Sequence, residues 1–302
     1  AQSQRARTLG MVLLPFEAAH VIPLRRAPDV QAACTEAYGP RDEPYVASLR
    51  ELLGIIGAHE WRRKGVEIAA VGGRIHPHYG VFSPVRGEYV QLVAETPLPS
   101  TDLAFDIGTG TGVLAAVLAR RGVKRVVATD QDPRALACAR ENIARLDLDA
   151  QVDVVQADLF PEGRAPRVDC NPPWVPARPA SPLEHAVYDP DSRMLRGFLS
   201  GLAAHLAPGG EGWLILSDLA EHLGLRTRDE LLATMRRRND DNKALRAEVG
   251  QLRTEAARSK AMSLAETATD GVIVARVEAA SRDEVRDQAL ANYRKAVANA
   301  FK

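Results

Sequence analysis

The stretch Leu103-Ala104-Phe105-Asp106-Ile107-Gly108-Thr109-Gly110-Thr111-Gly112-Val113-Leu114-Ala115-Ala116-Val117-Leu118-Ala119 decides the fold class. A short apolar run ends in three glycines at alternate positions, and an unbroken series of helix formers follows. Strand, glycine turn and helix in that order form the first half of a βαβ unit. Gly122 closes the helix in the left-handed conformation that glycine tolerates.

The pattern repeats downstream. Val126-Val127-Ala128-Thr129 is the next strand, and Asp132-Pro133 then starts a helix with a capping carboxylate and a proline in its first turn. Val152-Asp153-Val154-Val155 is a third strand, Arg167-Val168-Asp169-Cys170 a truncated fourth, and Gly212-Trp213-Leu214-Ile215-Leu216 a fifth. Between the last two, Leu195, Phe198, Leu199, Leu202 and Leu206 form a helix stripe ended by Pro208-Gly209-Gly210. Strands alternating with helices predict a doubly wound, mostly parallel α/β sheet of the Rossmann-like kind.

Upstream the pattern is weaker. Residues 1–64 read as an N-terminal helical region, with helical periodicity clearest over Tyr45–Leu53. Val66-Glu67-Ile68 and Arg74-Ile75-His76 flank Gly72-Gly73, which predicts a β-hairpin with a two-residue turn leading into a core of residues 65–228. His76 and His78 fall on one face of such a strand, but no further ligand is spaced to complete a metal site, so none is expected. Residues 229–302 read as a charged helix with a short coiled-coil seam (Leu245, Val249, Leu252, Ala256), a strand at Gly271–Val277 and a final helix at Arg282–Ala300.

The 302 residues carry 39 Lys+Arg and 39 Asp+Glu, with 46% hydrophobic and 26% charged residues, which excludes wholesale disorder. Neutrality removes a cationic field spread over the whole protein. It conceals a division, because residues 236–302 hold 14 basic and 10 acidic residues and the remainder 25 and 29. No run approaches the ~20 apolar residues of a membrane span, and the opening AQSQRARTLGMVLLPF reads as ordinary fold or a trimmed terminus. Three scattered cysteines, Cys34, Cys138 and Cys170, form neither a disulfide framework nor a zinc spacing, so a cytoplasmic location is expected.

The chemistry is carried by residues just past strand ends, which line one crevice in an open α/β sheet. Alternating glycines at 108, 110 and 112 let backbone approach a ligand closely, and the helix behind them offers free N–H groups. The spacing is G-x-G-x-G rather than the dinucleotide G-x-G-x-x-G, and the preceding Asp106 suits a cationic amino-acid moiety better than a phosphate. Asp130 ends the second strand, where a carboxylate accepts hydrogen bonds from ribose hydroxyls, and Asp158 follows the third.

Asn171-Pro172-Pro173-Trp174 follows the fourth strand. An amide or exocyclic amine has its lone pair delocalised, and an Asn oxygen with a carbonyl of the Pro-Pro segment can accept both N–H groups and free that pair. Two prolines fix the backbone at low entropic cost. Trp174 offers a flat face for a planar substrate. Catalysis at such a site is positioning and hydrogen-bond polarisation, with no strong general base.

Over roughly residues 60–225 the sequence resembles the class I S-adenosylmethionine-dependent methyltransferases. The resemblance implies that Asp106, Gly108, Thr109, Gly110 and Gly112 hold the methionine part of S-adenosylmethionine, Asp130 its ribose, and Asp158 with Leu159 its adenine. The N-P-P-aromatic motif is similar to that of methyltransferases acting on planar nitrogens, in which Tyr or Phe is usual at the fourth place and Trp is a departure. His78–Pro84 with Glu88 loosely resembles the segment preceding the core in the glutamine-methylating enzymes, which places Phe82 and Pro84 on the substrate side. From Asp241 to Gln288 the chain looks somewhat like the tail of alanyl-tRNA synthetases, while the competing reading makes Val272–Val277 the sixth strand of the methyltransferase sheet. A structured RNA, or a homodimer through the 242–256 helix, would be its partner.

The expected function is N-methylation of a planar amide or exocyclic amine, with a protein glutamine first as acceptor, then an RNA or DNA base, then a small molecule. The alternative is an RNA-binding or dimerisation module that keeps a methyltransferase-like scaffold without catalysis. The short fourth strand, whose apolar run is interrupted by charges, predicts an irregularity there, and the seventh strand of such a sheet is not evident.

Overall fold

The computed structural model describes residues 8–85, 87–178 and 187–237, together with the strands at 262–269 and 272–279. In chain order the strands are β1 (Leu13–Phe16), β2 (Tyr45–Ser48), β3 (Val66–Ile68), β4 (Gly73–Ile75), β5 (Leu103–Ile107), β6 (Arg125–Asp130), β7 (Val152–Gln156), β8 (Ala165–Cys170), β9 (Leu206–Ser217), β10 (Met262–Thr269) and β11 (Val272–Ala279). The principal helices are α1 (Gln31–Tyr38), α2 (Leu49–Lys64), α3 (Glu88–Glu95), α4 (Val113–Arg120), α5 (Pro133–Arg145) and α6 (Arg193–His205). A further helix covers 228–237.

The main sheet has the order β10-β11-β9-β8-β5-β6-β7. Strands β5 to β9 run parallel, whereas β11 is antiparallel to β9 and β10 to β11. The quoted stretch therefore supplies the central strand, β5, between β8 and β6. Its side chains alternate between two dry faces, Ala104 towards α3, α4 and α5, Phe105 and Ile107 towards α6 and the 228–237 helix. Burial on both faces is what a near-continuous apolar run in a parallel strand requires. Because the chain reverses its winding between β5 and β8, the loops after β5, β6, β7 and β8 open on one crevice.

Local signals account for the helices around that crevice. Asp132 accepts the Arg134 N–H at 2.9 Å and Pro133 opens α5, as the dipeptide predicts. At the end of α4, Gly122 has φ 86°, its N–H reaches the Ala119 carbonyl, and that of Val123 reaches Leu118.

Three expectations are corrected. Tyr45–Ser48 is a strand paired antiparallel with β1, because the helix begins only where the Ser48 hydroxyl caps the Glu51 N–H at 3.2 Å. The N-terminal region thus contains a small sheet as well as helices. The β3–β4 hairpin exists, but a 3-10 turn over Ala69–Val71 and left-handed Gly72 link it, and Gly73 already belongs to the strand. Pro208-Gly209-Gly210 does not end the helix; α6 stops at His205, and the three residues lie inside β9, where the pairing with β8 shifts between Ala165–Leu206 and Arg167–Glu211. The irregularity expected at the fourth strand is present, as a register shift between Ala165 and Arg167 of β8 that leaves the extra residues on β9.

Beyond that shift, Arg167–Cys170 pair with β5 in regular parallel register. The charges of β8 are tolerated because Arg167 and Asp169, both without exposure, pair at 2.8 and 2.9 Å, with the guanidinium 3.6 Å over the Trp213 ring. At the far edge, β11 continues the sheet from β9, so the strand at 272–279 takes the methyltransferase-sheet place; β10, the strand missing from the sequence reading, follows it. The coiled-coil seam at 242–256 and the helix at 282–300 lie outside the described residues.

Candidate active site

The loop after β5 turns through three left-handed glycines, Gly108, Gly110 and Gly112, at φ 68°, 56° and 80°. A side chain at Gly108 would collide with the Met194 methyl group, and one at Gly112 would meet Ala139 backbone at 3.3 Å. All three positions thus favour glycine for conformation, and at 112 the Ala139 backbone leaves little space as well, whereas at 108 the Met194 methyl group could swing aside. Gly112 lies where α4 meets α5 rather than on the crevice. The loop is fastened across the sheet by the Thr109 N–H to the Thr129 carbonyl at 2.8 Å.

Asp106 is 1% exposed and lies at the root of this loop. One of its oxygens accepts the Thr109 hydroxyl at 2.6 Å and the Ala115 N–H at 3.1 Å, tying β5, the loop and α4 together. Burial pushes its carboxyl up to about 7, against the opposing pull of the Thr109 hydrogen bond. Asp130 accepts the Gly110 N–H at 3.1 Å on one oxygen and the Asp132 N–H at 3.0 Å on the other. Its carboxyl is likewise raised, mainly by burial.

A cavity of about 490 Å³ opens between these loops, inside the usual range for small-molecule sites. Gly108, Gly110, Asp130, Asp158, Leu159, Asn171, Pro173 and Phe82 all line it. A smaller chamber of about 50 Å³ adjoins it, walled by Asp106, Thr109, Pro172, Trp174 and Tyr89, with Phe82, Gly108, Gly110 and Asn171 common to both. The structure thus gathers residues that lie up to 92 positions apart in the chain, from Phe82 to Trp174. Pro84 is buried and lines neither space.

At the aromatic end, the Trp174 indole N–H donates to the Asn171 amide oxygen at 3.0 Å. Phe82 meets the Trp174 ring edge-on, with centroids 5.4 Å apart, and Tyr89 lies behind Phe82 at 6.3 Å. At the opposite end, both oxygens of Asp158 receive Arg193, at 2.9 and 3.2 Å. Leu159 is left-handed at φ 76°, and its carbonyl accepts the Thr129 hydroxyl.

Arg193, Met194 and Asp189 were not foreseen. Asp189 accepts the Met194 and Leu195 N–H groups and so caps α6, which brings Met194 over Gly108 and Arg193 to Asp158. The signal was present as Asp189-Pro190 before the apolar stripe of α6. The two histidines have structural partners, His78 with Glu141 at 2.7 Å and His76 with the Arg62 carbonyl at 2.6 Å. Among the described residues, no group of three or more His, Cys, Asp or Glu is placed to hold a metal, and no helix is long and apolar enough to cross a membrane.

The model of the methyltransferase small domain matches residues 73–243, more than half of the chain. The chain belongs to this methyltransferase family. Its enzyme class is that of the S-adenosylmethionine-dependent methyltransferases, and S-adenosylmethionine is the cofactor that goes with it. Among curated relatives, the ribosomal protein L11 methyltransferase of Sorangium cellulosum is 34% identical over 65% of this chain and 62% of its own length. The release factor glutamine methyltransferase of Moorella thermoacetica is 37% identical over 36% of this chain and 41% of its own. The tRNA1(Val) (adenine(37)-N6)-methyltransferase of Shewanella loihica is 30% identical over 44% and 59%. The methyltransferase chain therefore spans less than two-thirds of the length of these relatives.

The crevice fits the cofactor by its own geometry. Gly108 and Gly110, both left-handed, present backbone without a side chain at the cavity wall. Asp130 accepts the backbone N–H groups of Gly110, Asp132 and Gln131, and a carboxylate with about four acceptor sites keeps capacity towards the cavity.

Proposed function

We propose that this methyltransferase transfers the methyl group of S-adenosylmethionine to a planar amide or exocyclic amine nitrogen, with a protein glutamine as the favoured acceptor. The observation that carries the reading is the place of Asn171. Its amide lies at the end of β8 where the large cavity and the small chamber meet, between the glycine loop and the Phe82–Trp174 pair.

In this reading Asp106, Gly108, Thr109 and Gly110 hold the methionine part, Asp130 accepts from the ribose hydroxyls, and Asp158 with Leu159 bounds the adenine end. Arg193 holds the Asp158 carboxylate, so Asp158 reaches the adenine amino group while sharing its oxygens with the guanidinium. Bound S-adenosylmethionine supplies an activated methyl group. Asn171 accepts one N–H of the acceptor on its amide oxygen and a carbonyl of the Pro172-Pro173 segment accepts the other. Both bonds strengthen as that nitrogen loses its amide character, which is the condition for lowering a barrier. Phe82 and Trp174 exclude water from the planar group.

The glutamine preference draws on the Moorella relative, on the absence of a whole-protein cationic field, and on Phe82, which the segment upstream of the core delivers to the crevice. The Shewanella relative favours a nucleobase as second reading. Radiolabelled methyl transfer into fractionated cell extract tests both. Label in protein is expected, whereas label in RNA whose uptake falls steeply with salt would establish the second reading. Asn171→Ala is expected to keep cofactor affinity within about twofold by calorimetry and to lose about 10²–10³ in turnover, the usual effect of removing one such hydrogen-bonding group. Undiminished turnover would place the chemistry elsewhere.

A further inference from the structure

The hydrogen bond from Trp174 to Asn171 is stronger evidence about the site than the stacking face expected of Trp174. The two ends of an asparagine amide are almost equal in size, and rotation about its terminal torsion is soft. They are opposite in chemistry, since only the oxygen accepts an N–H, while the NH₂ group would meet the acceptor's N–H as a second donor. An Asn at this place is therefore useful in only one of its two orientations.

The indole N–H can only donate. At 3.0 Å from the Asn171 oxygen it is satisfied by one amide orientation and opposed by the other, which would set two donors face to face. The indole is itself held, with Phe82 edge-on to the ring and an Arg226 nitrogen 3.4 Å from the Trp174 carbonyl, Arg226 being anchored in turn to the Ser192 hydroxyl at 3.2 Å. The carbonyl oxygen has two lone pairs, and the indole uses one. One remains for one N–H of the acceptor.

We infer that Trp174 is a positioning residue, acting through its indole N–H to keep the Asn171 amide oxygen turned towards the methyl acceptor. This rests on the proposed N-methyl transfer at Asn171. It differs from stacking in requiring the N–H and not merely an aromatic ring.

Two measurements test it. The first needs no acceptor: hydrogen exchange of the three indole N–H groups, read by NMR on the intact chain. Trp61 is 46% exposed and serves as the fast reference, and Trp213, 1% exposed and bonded to Glu211, as the slow one. The Trp174 N–H should exchange slowly in the wild type and at least about tenfold faster in Asn171→Ala, with Trp213 unchanged as the check on folding. Exchange of Trp174 as fast as that of Trp61 in the wild type would overturn the inference.

The second measurement uses label uptake from S-adenosylmethionine into the extract fraction that the wild type labels. Trp174→Phe should lower turnover about tenfold at an unchanged half-saturating S-adenosylmethionine concentration. In an Asn171→Asp background the same change should cost less than about twofold, because a carboxylate presents an oxygen in either orientation. Full turnover in Trp174→Phe, or an equal loss in both backgrounds, would overturn the positioning role. Should Asn171→Asp not turn over, the exchange measurement decides. Full turnover in Asn171→Ala would instead mean that the underlying reading of the site has failed.

Discussion

Asp106 is a buried acid that meets two hydrogen-bond donors and no cation, and this sets how the free protein responds to pH. Its carboxyl holds a proton up to about pH 7, against 3.8 as the ordinary value. Between those two values the folded state binds more protons than the unfolded state, so stability from this group falls as pH rises through the window. Asp106→Asn retains an acceptor for Thr109 and Ala115 without titrating. The variant should therefore gain in melting temperature on the wild type from pH 4 to 7 and run parallel above pH 8, as a thermal scan would show. A gap that does not change with pH would mean that Asp106 is charged throughout. For cofactor binding the sign reverses. If this carboxylate meets the cationic amino-acid end, wild-type affinity rises with pH through 7, while Asp106→Asn binds about tenfold more weakly with no such rise. Calorimetry at pH 6 and 8 compares them. The acidic residue and the glycine loop were legible in the sequence; the bond from Trp174 to Asn171 was not, because residues three apart in a proline-rich loop meet only in one of many backbone paths.

Strand β8 shows the same limit for an element. Arg167-Val168-Asp169-Cys170 alternates charged and apolar residues, the pattern of a strand with one wet face. Both faces are dry, and the charges survive because they pair with each other and with the face of Trp213 on the neighbouring strand. Asp169→Ala removes the carboxylate that both bonds of the buried Arg167 guanidinium reach, which costs roughly 3–5 kcal/mol, whereas Arg167→Met with Asp169→Leu should be much milder. Urea unfolding of the two variants measures the difference. In the loop before α4, Gly110→Ala forces a side chain into the left-handed region at about 1–2 kcal/mol and narrows the cavity wall. Cofactor affinity in that variant should fall further than stability does.

Over the whole molecule, the N-terminal elements are bound to the methyltransferase core by a charged junction. Glu141 on α5 accepts Arg62 of α2 at 3.0 Å and His78 at 2.7 Å, and Arg62 also reaches Glu36 of α1. Burial alone would raise the Glu141 carboxyl, but Arg145, His78 and Arg62 together hold it down to about 2. A depressed carboxyl contributes stability above its ordinary value of 4.5, and the contribution disappears as pH falls towards 2. Glu141→Gln should lower the melting temperature by about 1–2 °C at pH 7, the effect of ~1 kcal/mol in a chain of this size, and by progressively less as pH falls below 4.5. An equal loss at pH 3 and 7 would show that the junction is held by packing. The sequence showed Glu141 and His78 as unrelated residues 63 apart, since no local pattern encodes an ion pair between elements.

What the sequence determined by itself was local and periodic. The order of strands and helices from β5 onward, the glycine turn, the Asp132-Pro133 helix start and the residues past strand ends all follow from preferences expressed within a few positions. The tertiary structure decided what depends on neighbours far along the chain. It made Tyr45–Ser48 a strand because β1 was there to pair with it, and carried Pro208-Gly209-Gly210 inside β9 because β8 pairs beyond them. It also brought Arg193 to Asp158 and Phe82 to Trp174, which built a crevice from separate loops. Hydrophobic periodicity marks which face of an element is dry, but carries no record of which other element will cover it.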